Sequence, residues 1–231
     1  TSFTADQWKV LKLACEKQGL MFLSSPFSEE AVDLLESLEV GQYKIPPGEV
    51  TNLPLLKKIA GLGKPVILSS GMSTWNELGR AVEVIRKQHN QLKILQCTSE
   101  YPCSYERVGL NVMLEIRKRY GVPVGLSDHT ITPYATYAAV TLGASVIERH
   151  MTFSRRMYGS DAKHSLEPNE FAELVRGIRA LEVMLDSQVD KNDLSRLQEM
   201  KQTFEKSLVA LVEIPAGTII AREMLGIRKP G

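Results

Sequence analysis

The sequence predicts an α/β fold of barrel type: a (β/α)8 TIM barrel lacking its first two strand–helix units, followed by the start of a small β-rich domain. Three observations lead there. Short apolar runs alternate with longer amphipathic stretches, the pattern of βαβ units around a parallel sheet. Nearly every apolar run ends in polar or reactive residues: Ser24 and Ser25, Lys44, Ser69 and Ser70, Thr98 and Ser99, Ser127 to His129, then Glu148 and His150. In a barrel such ends converge on one face, where the active site is built; an open doubly wound sheet concentrates function at one switch point instead. Finally, no glycine-rich dinucleotide or Walker fingerprint is present.

The elements follow in order. Amphipathic spacing predicts helices over Ala5–Lys17, Ser28–Leu38, Asn52–Leu62, Thr74–Gln88, Val108–Tyr120, Tyr134–Gly143 and Pro168–Leu185. Between them lie "LMFLSS", "QYKIP", "PVILSS", "LKILQCT", "PVGLSD" and "SVIERHM", short and mostly apolar, as strands buried on both faces should be. This makes six strand–helix units where a closed barrel needs about eight. The missing two are expected before Thr1, with an unusual open six-stranded sheet as the alternative. After Asp186 the chain becomes charged and sparsely apolar. The expected domains are a partial barrel over 1–186, a surface linker over 187–206, and from 207 to 231 the beginning of a β-rich module around a Pro-Ala-Gly turn.

Composition narrows the partners. The 231 residues are 43% hydrophobic, enough for one sizeable core, and the formal net charge is +1. No global field therefore argues for nucleic acid, although a phosphate needs only a few local donors. No apolar run reaches the roughly 18 residues of a membrane span. Cys15, Cys97 and Cys103 are odd in number and lack zinc-ligand spacing, so reduced thiols in a cytoplasmic protein are expected.

His129 and His150 end successive strands. Adjacent strands lie roughly 5 Å apart, so the two imidazoles can share one divalent metal, with open positions left for substrate and water. The simpler explanation of each is a satisfied polar residue at a strand end. Lys44, at the end of a buried strand, needs an anionic partner, which a phosphate, a substrate carboxylate or a structural Glu would supply. Ser69, Ser70, Thr98, Ser99 and Ser127 could complete a phosphate cradle with it; for each hydroxyl alone the simpler reading is capping of the next helix. Glu49 and Glu148 are candidate acid/base groups. Asp161 lies on a loop over the same face with His164 nearby, and a surface salt bridge is the simpler reading of each. His89 reads as solvent-exposed.

The motifs "KIPPGEVTN", "SSGMS", "LQCTSEYP", "GLSDHT", "ERHMTF" and "GSDAKHSLEP", in this order, closely resemble the N-acetylneuraminate (sialic acid) synthase family, which includes the legionaminate and pseudaminate synthases. The resemblance runs from about Leu20 to Gly231, and "SLVALVEIPAGTIIAREMLGIRKPG" resembles the start of that family's antifreeze-like (SAF) domain. It implies condensation of phosphoenolpyruvate with an N-acylated amino sugar, N-acetylmannosamine or a relative. It further implies a divalent metal, Mn2+ first with Mg2+ or Co2+ as alternatives, on His129 and His150, and a homodimer with swapped C-terminal domains. By the same resemblance Lys44, Ser25, Ser69, Ser99 and Ser127 bind phosphoenolpyruvate, with Thr98 beside them, and Glu49 acts at the reacting carbon. Phe27, Tyr101 and Asp161 contact the sugar, and Lys206 reaches the phosphate. Ser99 departs from the Asn, and Ser25 from the Thr, of some members; both keep a hydrogen-bonding group.

Two other readings are compatible with the same residues. One is another metal-dependent aldolase or 3-deoxy-sugar-acid synthase on this barrel. The other is a sugar-binding protein without turnover.

Overall fold

The computed structural model describes residues 3–229. Thr1, Ser2, Pro230 and Gly231, at the outer limits of the two expected domains, lie outside the described residues. The chain divides into two compact units, Thr1–Asp186 and Ser187–Gly231.

The first unit is an α/β half-barrel. Its five parallel strands, β1 (Tyr43–Ile45), β2 (Val66–Ser69), β3 (Leu92–Cys97), β4 (Val124–Asp128) and β5 (Val146–Arg149), pair in sequence order. Seven helices accompany them: α1 (Ala5–Lys17), α2 (Glu29–Ser37), α3 (Leu53–Gly61), α4 (Trp75–Arg86), α5 (Leu110–Tyr120), α6 (Tyr134–Thr141) and α7 (Pro168–Asp186). Helix starts follow local chemistry. The Ser28 hydroxyl and the Asn52 amide oxygen accept from the Ala31 and Leu55 amides, and Thr74 forms a reciprocal capping box with Glu77. None of the hydroxyls at the strand ends serves as a cap, so the capping explanation fails for Ser69, Thr98, Ser99 and Ser127.

One expected strand is not formed. Leu20–Ser25 runs beside β1, and the Lys44 amide donates to the Ser24 carbonyl at 3.4 Å. That single long bond does not make a ladder, and the segment has no regular strand structure. Six units are thus five strands and one extended edge.

Strand side chains alternate between two environments. Tyr43, Ile45, Val66, Leu68, Ile94, Val124 and Leu126 face the helices, where they join Val32, Leu56, Ile59, Ile85, Met113 and Ile116 in one core. The opposite, inner face carries Lys44, Ser69, Leu95, Cys97, Ser127 and Glu148. The apolar core therefore holds the sheet from outside and leaves the inner face free to be polar.

The second unit contains α8 (Gln198–Phe204) and an antiparallel pair, β6 (Ser207–Ala210) with β7 (Leu225–Arg228). Part of the stretch expected to be linker is therefore helical. Gly217, in the expected Pro-Ala-Gly turn, has φ +86°, a conformation open to glycine at little cost.

Gly125 tests the inner face. A Cβ there would overlap the Val146 carbonyl and fall 2.6 Å from Leu95 Cδ2. Gly125→Ala is expected to lower the unfolding free energy by about 3 kcal/mol or more, because strand backbone cannot relax as a side chain does. Urea denaturation measures this, and a wild-type midpoint would show that β4 and β5 are not so closely apposed.

Candidate active site

The site lies at the C-terminal ends of β1 to β5 and has two adjoining parts. The first is built around Lys44. Its ammonium, only 6% exposed as a residue, donates to Ser69 Oγ at 2.8 Å and pairs with Glu148 Oε2 at 3.2 Å. The other oxygen of Glu148 accepts from Ser127 Oγ at 2.7 Å. Of the partners open to Lys44 from sequence, the structural Glu is the one present. Glu148 is thus a counter-ion and hydrogen-bond acceptor; sequence reasoning had it only as a generic acid/base candidate. Its role follows from the register that sets Ser127 opposite Glu148, which the sequence does not carry.

The second part holds the histidines. Their ring centroids are 5.3 Å apart, and Tyr101 packs against both, at 4.3 Å from His129 and 5.6 Å from His150. His129 Nδ1 lies 2.9 Å from the Thr98 carbonyl. A carbonyl only accepts, so Nδ1 carries the proton and Nε2 is left with a free lone pair. Burial pushes the His129 pKa below the usual imidazole value, as does the neighbouring His150, against the opposing pull of the Thr98 carbonyl. His129 is therefore held in the neutral form that a metal requires. His150 Nδ1 sits 3.6 Å from Asp161 Oδ2, an electrostatic contact beyond hydrogen-bond length. Among the described residues no third His, Cys, Asp or Glu completes a ligand cluster. The donor set fits a divalent ion held by two imidazoles with its remaining positions open.

Cys97 and Ser99 join the two parts. Cys97 Sγ lies 3.8 Å from Ser99 Oγ, and a Cβ on Gly71 would fall 2.7 Å from that hydroxyl and 3.1 Å from the sulfur. Only glycine lets the β2 end approach so closely. Thr98 supports the site through its backbone, and its own hydroxyl donates to the Arg107 carbonyl at 2.6 Å.

Some expected residues are not drawn in by direct contact. Glu49 is half-buried and accepts from Asn52 Nδ2 at 2.7 Å. Phe27 is 66% exposed at the start of α2, and Ser25 follows the carbonyl bonded to Lys44. Lys206 belongs to the second unit, exposed just before β6. His89 is not the exposed residue expected: it is half-buried, with Nδ1 accepting from the Gln91 amide and Nε2 turned inward. No described helix is long and apolar enough to cross a membrane.

These features define a class, an α/β half-barrel with a buried lysine–hydroxyl cluster beside a histidine pair. Residues 1–190 match the NeuB family model, and the chain belongs to that family. It is 40% identical over 225 residues to N,N'-diacetyllegionaminic acid synthase of Campylobacter jejuni, covering 96% of this chain and 67% of that one. It is 38% identical over 227 residues to the human N-acetylneuraminate-9-phosphate synthase, covering 98% and 63%. The chain thus spans about two thirds of the length of these relatives. Among solved structures, an N-acetylneuraminic acid synthetase from Leptospira borgpetersenii, in complex with citrate, superposes with a TM-score of 0.79 at 28% identity, over 88% of this chain and 72% of that one.

The thiols offer a check on the geometry. Burial raises the pKa of both Cys97 and Cys103, so both stay protonated at mildly alkaline pH, while Cys15 is the more exposed thiol. Alkylation by iodoacetamide should mark Cys15 first and reach the other two only on unfolding. Peptide mapping that finds Cys97 modified first in the native protein would contradict the packing described.

Proposed function

We propose that this chain carries the catalytic half-barrel of a synthase that condenses phosphoenolpyruvate with an N-acylated amino sugar, N-acetylmannosamine or a relative, to give a nonulosonic acid and phosphate. The observation that carries the reading is the cluster of buried Lys44, Ser69 and Ser127 with the half-exposed Glu148, adjoining His129 and His150. An anion subsite and a metal-type subsite share one face, as a reaction between a phosphorylated enol and an aldehyde requires. The names of the relatives support the substrate class.

In this reading Lys44, Ser69 and Ser127, with Ser25, Thr98 and Ser99 at the margin, bind the anionic groups of phosphoenolpyruvate. Arrival of those groups gives Lys44 a second anionic partner beside Glu148. Tyr101, Phe27 and Asp161 contact the open-chain sugar and direct its aldehyde carbon toward C3 of the enol. His129 and His150 hold the divalent ion, Mn2+ first and Mg2+ or Co2+ as alternatives. When bound, such an ion supplies Lewis-acid polarisation of a carbonyl oxygen. The C3–C1 bond forms as the enol π electrons attack, and the aldehyde oxygen takes a proton. Water then adds at C2, guided by Glu49, and the tetrahedral adduct loses phosphate by C–O cleavage. Most of the rate gain comes from positioning and electrostatics. The reading includes closure of the half-barrel to a (β/α)8 barrel, an antifreeze-like module beginning near residue 207, Lys206 near the phosphate, and a domain-swapped homodimer.

Phosphate release on adding both substrates tests the proposal, and a panel of N-acyl sugars identifies the acceptor. Binding of both without release would favour a non-catalytic protein. Lys44→Ala is expected to lower kcat/KM for phosphoenolpyruvate about 10- to 150-fold, from loss of a charge-assisted contact of about 1.5–3 kcal/mol. The KM for the sugar should move much less, and an effect confined to the sugar would reverse the assignment of Lys44. His129→Ala and His150→Ala should each abolish turnover that chelation removes and Mn2+ restores. Near-normal activity in both would remove the metal from the reading.

A further inference from the structure

The residues that precede the two histidines face away from the site. Ser127 and Glu148 point inward, so Asp128 and Arg149, opposite each other in the β4–β5 register, point outward toward α6. Their side chains are 0% and 2% exposed. Arg149 Nη1 pairs with Asp128 Oδ2 and also reaches the Thr132 carbonyl at 3.2 Å. Its Nη2 donates to the Thr130 carbonyl at 2.6 Å. Asp128 Oδ1 accepts from the Thr130 amide at 2.8 Å, and Oδ2 from Thr136 Oγ1, on α6, at 2.7 Å.

These bonds close around His129. The Thr130 amide is tied to Asp128 and its carbonyl to Arg149, so the peptide groups following His129 are fixed on both sides. The same guanidinium belongs to the residue immediately before His150. A single ion pair therefore links the turn carrying one imidazole to the strand end carrying the other.

We propose that Asp128 and Arg149 are positioning residues that set the separation and orientation of His129 and His150 for a shared divalent ion. The inference rests on the metal reading of the two histidines given above. A bare hydrophobic contact could join β4 to β5 as firmly; the fork of the guanidinium adds direction, because it bonds carbonyls of Thr130 and Thr132 as well as the carboxylate. Loss of it would leave both imidazoles present but misaligned.

The test is a Mn2+ titration of the full chain without substrates, read from the electron paramagnetic resonance signal of free Mn2+. Arg149→Lys and Asp128→Asn should each weaken Mn2+ binding by about 10- to 100-fold, the range found when groups supporting metal ligands are removed. Turnover should recover as Mn2+ is raised. Ile116→Val, in the core away from the site, should lower the melting temperature and leave Mn2+ affinity unchanged. If the two variants lose stability but bind Mn2+ like wild type, the pair is merely structural and the proposal falls. If neither folds, Thr136→Val removes one donor to Asp128 at nearly constant shape; several-fold weaker Mn2+ binding supports the proposal and unchanged binding overturns it. A wild-type protein without Mn2+ binding that depends on His129 and His150 would instead defeat the metal reading itself, and the inference with it.

Discussion

Because β4 and β5 pair Ser127 with Glu148 and Asp128 with Arg149, everything at this end of the sheet is assigned to a face by register. A slip of one residue would turn Glu148 outward and Arg149 inward. Lys44 would then lose its counter-ion, and a guanidinium would stand beside the ammonium. The apolar side of the same strands resists such a slip, since Leu126 is buried against the helices and Gly125 meets the Val146 backbone. Packing on the outside thus fixes the electrostatics on the inside.

The two buried ion pairs differ in how completely they are satisfied. Around Asp128 and Arg149, whose side chains are almost wholly buried, the bonds run to each other, to the loop after β4 and to α6. Such a network orders its surroundings, and its removal is costly because one charge would remain buried alone. Lys44 and Glu148 are different. The ammonium has one hydroxyl and one carboxylate partner, and the Glu148 side chain is 38% exposed. The ammonium is therefore neutralised yet remains able to take a further acceptor.

Much of this was legible in the sequence where the physics is local. Ser28, Asn52 and Thr74 precede their helices with side chains that can accept an amide hydrogen, and the expected helices start at those residues. The run of polar residues after each apolar segment anticipated that these side chains gather on one side, because parallel strands must end on one side. What could not be read was pairing. "LMFLSS" has the composition of a strand, but strand structure needs a ladder, and its recorded backbone link to β1 is one long bond. The part played by Glu148 depends on which residue lies across from it, and likewise the union of Asp128 with Arg149, which are 21 residues apart. His89 misled for a related reason: a polar "KQHNQ" setting says nothing about which way one ring edge turns.

The inner face also shows a gradation in depth. Ser69, Leu95, Gly125 and Val146 are matched across four strands, and Cys97, Ser127 and Glu148 are matched one step further toward the C-terminal ends. The deeper layer is largely apolar and the upper one polar. Leu95 is fully buried, and one layer deeper Lys44 lies opposite Ile67, which is nearly buried as well, so apolar side chains form a floor around the ammonium. Charges set against such a floor interact more strongly than they would in solvent. The histidines stand one further alternation above Ser127 and Glu148, where Tyr101 covers them from the loop after β3. Lys44 and Ser69 therefore lie deeper in the sheet than Ser127 and Glu148, and the two histidines stand nearest its C-terminal edge. On the proposed reading, a phosphorylated enol held by Lys44 would sit deeper in the sheet than an aldehyde held beside the histidines, and the order of layers would set the direction from which the two reactants meet.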